Sequence, residues 1–246
     1  MLASIALTPS APVLVPELAG AAAAEVADIR AAATTAASAL PGRWIVIGVG
    51  PADAVISGGR GTFAGYGADV EVSLSPDSDD RVMEMPLCAV FAAWLRGQAN
   101  PEARIEVRVC AADLGVDAAV DRGRSLRAEI ERADGPTGVL VVADGFTTIG
   151  PSAPGGEDPA AEAAQTALDD ALAAGDPTPL LSLPAGVAGR VAYQVLAGLA
   201  EEWPRTAVEL IRGAPFGVGY FVGLWRTTGP ALWRTTGPAR PGKLPG

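Results

Sequence analysis

The sequence contains no histidine. That one absence removes Ser-His and Cys-His nucleophile activation, the HExxH zinc site and every acid/base step that rests on imidazole. Lysine is nearly absent too: Lys243 stands alone, and arginine carries the positive charge. No basic stripe exists to displace counterions from phosphate, and the net charge is -10, so a nucleic-acid partner is not expected. Aromatic residues make up only 5% of the chain. The core must therefore be built from small side chains, mostly alanine and valine. The two cysteines, Cys88 and Cys110, each sit inside an apolar run and share no metal-type spacing. They read as buried free thiols of a reducing compartment. No uninterrupted apolar run reaches the roughly 18 residues of a membrane helix. The opening MLASIALTPSAPVLVP lacks a basic flank and is broken by prolines, so it reads as strand and loop, not as a signal peptide. The expectation is a cytoplasmic protein.

What is present is a chain of 246 residues, 49% hydrophobic and 19% charged, which is the composition of a folded domain. A short apolar run at 2–8 reads as a strand, and continuous apolar runs at 44–49 and 138–143 read as buried strands. Residues 70–74 and 104–111 alternate like strands with one wet face. Helical spacing covers 17–40, 87–98, 116–133, 159–174 and 187–203. Residues 57–68 form a glycine-rich loop, Asp77, Asp79 and Asp80 a solvated turn, and 207–212 and 217–225 two closing strands. Strands alternating with helices imply an α/β fold: a mostly parallel central sheet, helices on both faces, and antiparallel strands near the C-terminus. A single domain is expected over 1–225. A loose tail over 226–246 carries a tandem octapeptide, LWRTTGPA at 224–231 and again at 232–239.

In parallel sheets ligands bind beyond the carboxyl ends of the strands. Three such loops, 8–16, 48–54 and 143–156, are rich in Gly, Pro, Ser and Thr and are expected to line one cleft. Its candidate residues are Ser10, Pro12, Val49, Gly50, Pro51, Asp144 and Thr147. GRGTFA at 59–64 fits a dinucleotide fingerprint by letter, but a loop and strand follow it where a helix is required. Tyr66 and Tyr220 read as packing residues that could also border a pocket.

The same three loops resemble a family. TPSAPVLVPELAG at 8–20, IVIGVGPADAV at 45–55, VVADGFTTIGPSAPGG at 141–156 and GAPFGVGYFVG at 213–223 are similar, in order, to motifs of class III extradiol dioxygenase catalytic (B-subunit) proteins and their Memo-like relatives. The resemblance implies the α/β fold, a pocket at these loops and, in the family, ferrous iron on two histidines and a carboxylate, with a further histidine as acid/base. Here the histidine positions hold Ser10, Val49 and Thr147. A ferrous site needs imidazole and carboxylate donors. Two hydroxyls and an aliphatic side chain do not replace them, so no iron and no metal is expected.

Asp144 matches the aspartate of the family's Gly-Asp-Leu-Ser-His. It is the candidate for any remaining acid/base or ligand role, and its plainer reading is a carboxylate bonded to loop amides at a strand end. Glu17 reads as favouring a helix start. A divalent-metal site on Glu17, Asp53 and Asp144 stays open as an alternative. The expected function is a non-catalytic, iron-free relative whose cleft binds a small molecule or a partner. An enzyme with rebuilt, Asp144-centred chemistry is the alternative, and an assembly role as a homodimer is a third.

Overall fold

The computed structural model describes residues 1–78, 81–203 and 205–228. Asp79, Asp80 and the tail from Gly229, with its second octapeptide and Lys243, lie outside the described residues.

Among the described residues nine strands form: β1 (Leu2–Thr8), β2 (Arg43–Gly50), β3 (Ala54–Ser57), β4 (Arg60–Thr62), β5 (Glu71–Ser73), β6 (Arg104–Ala111), β7 (Thr137–Val142), β8 (Arg205–Gly213) and β9 (Tyr220–Thr227). Seven of them make one sheet in the order β3-β6-β2-β7-β1-β9-β8. Its central four strands, β6, β2, β7 and β1, run parallel. β3 lies antiparallel on one edge, and β9 and β8 lie antiparallel on the other. Every residue of β7 is buried, as its unbroken TGVLVV run requires of a strand covered on both faces.

The helices are α1 (Pro16–Ala19), α2 (Ala27–Ser38), α3 (Leu87–Ala99), α4 (Val116–Arg132), α5 (Ala161–Ala174) and α6 (Arg190–Ala200). α2 and α3 cover one face of the sheet, packing Ile29, Ala33, Phe91 and Leu95 on Trp44, Val46 and Leu140. α4, α5 and α6 cover the other, packing Leu126, Ile130, Leu168 and Leu196 on Ile45, Ile47 and Val139. Small residues let the layers close. A Cβ on Gly48 of β2 would stand 2.4 Å from the Cβ of Cys88 on α3. Both cysteines are free and buried. Burial pushes the Cys88 thiol up to about 12 and raises Cys110 as well, so neither is a ready nucleophile.

Several expected elements take a different form. The helix expected over 17–40 is broken into α1, a 3-10 turn and α2, because Gly20 adopts φ +52, a conformation that L residues rarely reach. The strand expected at 70–74 is outside the main sheet. It is β5, paired only with β4 in a two-stranded ribbon. β4 itself, with β3 just before it, occupies what the sequence suggests is loop. The ribbon also removes the dinucleotide reading, since GRGTFA runs into β4 and no helix opens there in the required way. The closing strand starts at Tyr220 and runs to Thr227, so Arg226 and Thr227 belong to the sheet and not to the tail. Among the described residues, no helix is long and apolar enough to cross a membrane.

Candidate functional site

Because β1, β2, β6 and β7 are parallel, their carboxyl ends Thr8, Gly50, Ala111 and Val142 share one edge of the sheet. The expected site loops all leave from that edge, but they do not converge on one cleft.

The first and third loops are tied together. β1 and β7 are direct neighbours, and the Ala143 N–H donates to the Thr8 carbonyl at 2.9 Å. Two residues on, the Ser10 backbone N–H donates to Asp144 Oδ1 at 2.8 Å. The Asp144 carboxylate thus straps the two loops at their roots. Burial pushes its pKa from 3.8 up to about 6, partly offset by the Ser10 N–H. Two tyrosines feel its charge. Tyr193 donates to the Ala143 carbonyl at 3.0 Å, and its hydroxyl pKa is raised first by burial and then by Asp144. Tyr220 is raised by the same two causes in the same order. Pro12 opens a short 3-10 turn, Pro12–Leu14, that lays the first loop down on the α2 side.

The third loop is pinned along its length. Gly145 N–H donates to the Gly219 carbonyl, Gly219 N–H to Phe146 and Ile149 N–H to Gly217. Thr147 spends its carbonyl on the Gly155 N–H at 2.9 Å. Gln165 of α5, buried at 6% exposure, accepts from the Phe146 N–H at 2.9 Å and donates to Asp169 at 2.7 Å. Neither this strut nor its function was visible in the sequence, since a glutamine in an alanine-rich helix gives no sign of facing inward.

The second loop opens a cavity of its own, of about 590 Å³. Val49, Gly50 and Pro51 line it, together with Asp53, Tyr66, Glu84, Met85, Pro86, Leu87 and Val109. Ser10, Pro12, Asp144 and Thr147 are not among its walls. The expectation of one cleft from three loops is therefore corrected: the β1–β7 strap and the β2 cavity are separate pieces of one edge. Met85 and Pro86 come from the turn that leads into α3 and Leu87 from its first residue, a segment that the sequence did not mark as part of a site. Gly50 lets this wall close, since a Cβ there would sit 2.6 Å from Val109.

Asp53 is occupied as well. It pairs with Arg122 through both oxygens, at 2.6 and 2.8 Å, and accepts the Ala111 N–H at 2.8 Å. The Arg122 hydrogen bond, then that of Ala111, hold its pKa down at about 2. Glu17 stands exposed on the first turn of α1. Among the described residues, no three of His, Cys, Asp and Glu stand together as a metal cluster. The divalent-metal set Glu17, Asp53 and Asp144 is thereby removed. The donor set at Ser10, Val49 and Thr147 likewise does not fit ferrous iron, since it offers no imidazole and, at Val49, no donor atom. Asp77, in the expected turn, bonds to Arg104.

No family model matches the sequence, and no curated protein matches it. Among solved structures, an uncharacterized protein of Escherichia coli K12, JW3007, is similar at 12% identity and a TM-score of 0.49. The match covers 91% of this chain and 99% of that one. A likeness at that level carries no argument about the site.

The strap has a pH signature. Asp144 and Asp169 are both raised by burial to about 6. Between the unfolded value of 3.8 and the folded value of about 6, the folded chain holds more protons than the unfolded one. Stability therefore falls as pH rises through this window. Asp144→Asn keeps an acceptor for Ser10 but cannot ionise. Its melting temperature should fall less than that of the wild type between about pH 4 and about pH 6.5. Parallel curves for the two proteins would refute the assignment.

Proposed function

We propose that this chain is an iron-free binding protein on an extradiol-dioxygenase-like frame, and that the β2 cavity takes its small-molecule ligand. The observation that carries this reading is the make-up of that cavity: Val49, Met85, Pro86, Leu87 and Val109 give it apolar walls, with the Tyr66 hydroxyl and the Glu84 carboxylate as polar groups. Asp53 also borders it but is neutralised by Arg122. The carboxylate best suited to chemistry, Asp144, is spent on the strap.

A probe that matches the family's substrate class is 4-nitrocatechol. Its absorbance band should shift and saturate on titration into the protein. Ala52→Trp, at an exposed position of the cavity wall, should abolish the shift. With ferrous ion and oxygen supplied, the catechol spectrum should persist. Iron-dependent ring-opened product would end this reading.

The second reading is an enzyme centred on Asp144. What favours it is a carboxyl poised near 6 beside two tyrosines, a combination suited to proton transfer. Turnover that Asp144→Asn abolishes while the protein stays folded would establish it.

A further inference from the structure

On the outer side of the α2–α3 layer the two helices part around a groove of about 430 Å³. One wall is the Ala27, Ala31 and Thr34 face of α2, spaced as successive helical turns. The other is Trp94 and Gln98 of α3. Arg30 enters between them. It shares no wall residue with the β2 cavity.

Arg30 differs from several other arginines of the chain. Arg122 is paired to Asp53, Arg124 to Glu201 and Arg212 to Glu209. The buried Arg96 gives its hydrogens to the carbonyls of Ser73, Pro101 and Ala103. The Arg30 Nη1, by contrast, is fully buried and has no hydrogen-bond partner among the described residues. No acidic side chain lines the groove. A guanidinium nitrogen buried without an acceptor is costly, and folded proteins meet that need with an acceptor from water or from a ligand. The surroundings select the ligand. One cation asks for one negative charge. A planar donor fork suits a carboxylate. Trp94 and the alanines make the rest of the groove's lining largely apolar. Thr34 already gives its hydroxyl hydrogen to the Arg30 carbonyl, at 3.0 Å, so its oxygen adds no donor for the more highly charged phosphate.

From this we infer that the α2–α3 groove is a binding site for a small aromatic or aliphatic monocarboxylate, held by Arg30 and seated against Trp94. The site is independent of the β2 cavity, and the proposal stands or falls apart from the reading given to that cavity.

The test uses the full chain and 1-naphthoate, followed by calorimetric titration. Wild type should bind it. Arg30→Met, and replacement of the probe by uncharged 1-naphthamide, should each weaken binding about tenfold or more, the effect of losing a hydrogen bond to a charged group. Inorganic phosphate should not compete. In the free protein Arg30→Met should melt no lower than wild type, because it removes an unsatisfied donor instead of a structural bond. No binding to wild type up to the solubility of the probe would overturn the proposal. So would equal binding by Arg30→Met, or a marked fall in its melting temperature, which would make Arg30 a structural residue.

Discussion

Gly198→Ala is expected to leave the chain unable to fold stably. On helix propensity alone the change should help, since glycine inside a helix costs about 1 kcal/mol relative to alanine. Packing reverses the sign. A Cβ on Gly198 of α6 would stand 2.0 Å from the Val120 carbonyl oxygen of α4. Reciprocally, a Cβ on Gly123 of α4 would stand 2.1 Å from the Val195 oxygen and 2.6 Å from the Leu199 nitrogen of α6. Both obstacles are backbone, so neither can swing aside as a flexible side chain would. The helices must separate, and Val120, Leu126, Val195 and Leu199, which they bury on that face of the sheet, must lose contact. Overpacking of this kind, against rigid atoms and with cavities opening beside it, belongs to the class of about 4 kcal/mol or more. Denaturant unfolding measures it. A midpoint equivalent to within about 1 kcal/mol of wild type would show that the helix pair yields more easily than its geometry implies.

Gln165→Leu should cost about 2–4 kcal/mol by removing two buried hydrogen bonds at once. The Phe146 N–H would lose its acceptor, and the buried Asp169 carboxyl its amide donor. The loop cannot easily regroup. Gly145 and Gly219 clasp the glutamine from both sides, and a Cβ on either would lie 2.0 or 2.2 Å from its Oε1. The variant should also exchange the Phe146 amide hydrogen much faster than wild type, because that N–H is the one left open. A loss below about 0.5 kcal/mol, with unchanged exchange at Phe146, would show that the strut is dispensable.

The central strands were legible because covered parallel strands demand unbroken apolar runs, and LASIALT, WIVIGV and GVLVVA supply them. Alternation gave β6, and helical spacing gave α3, α4, α5 and α6 to within a few residues. Strand order was not legible, since β1 pairs with β7 across more than a hundred residues and no local pattern encodes that choice. β3 was hidden by its shortness and by its exposed Val55, and β4 by the glycines around it. The break at Gly20 was masked by the alanines on either side, which read as helix whether or not the chain turns.

At the site, the missing imidazoles were readable outright, because a donor that is not in the sequence cannot be supplied by folding. The tie between Ser10 and Asp144 was only half readable. A carboxylate at a strand end announces a loop-amide partner, but not which loop. The Met85–Leu87 wall, and an Arg30 Nη1 without an acceptor among the described residues, could not be foreseen, for both depend on how α3 is set against its neighbours.

The strap between the first and third loops is made with the main chain of residue 10 and not with its hydroxyl. Every amino acid but proline brings the same N–H to that place. The architecture is therefore indifferent to what side chain stands there. A histidine placed at position 10 would bring the same N–H to Asp144 and leave the strap as it is.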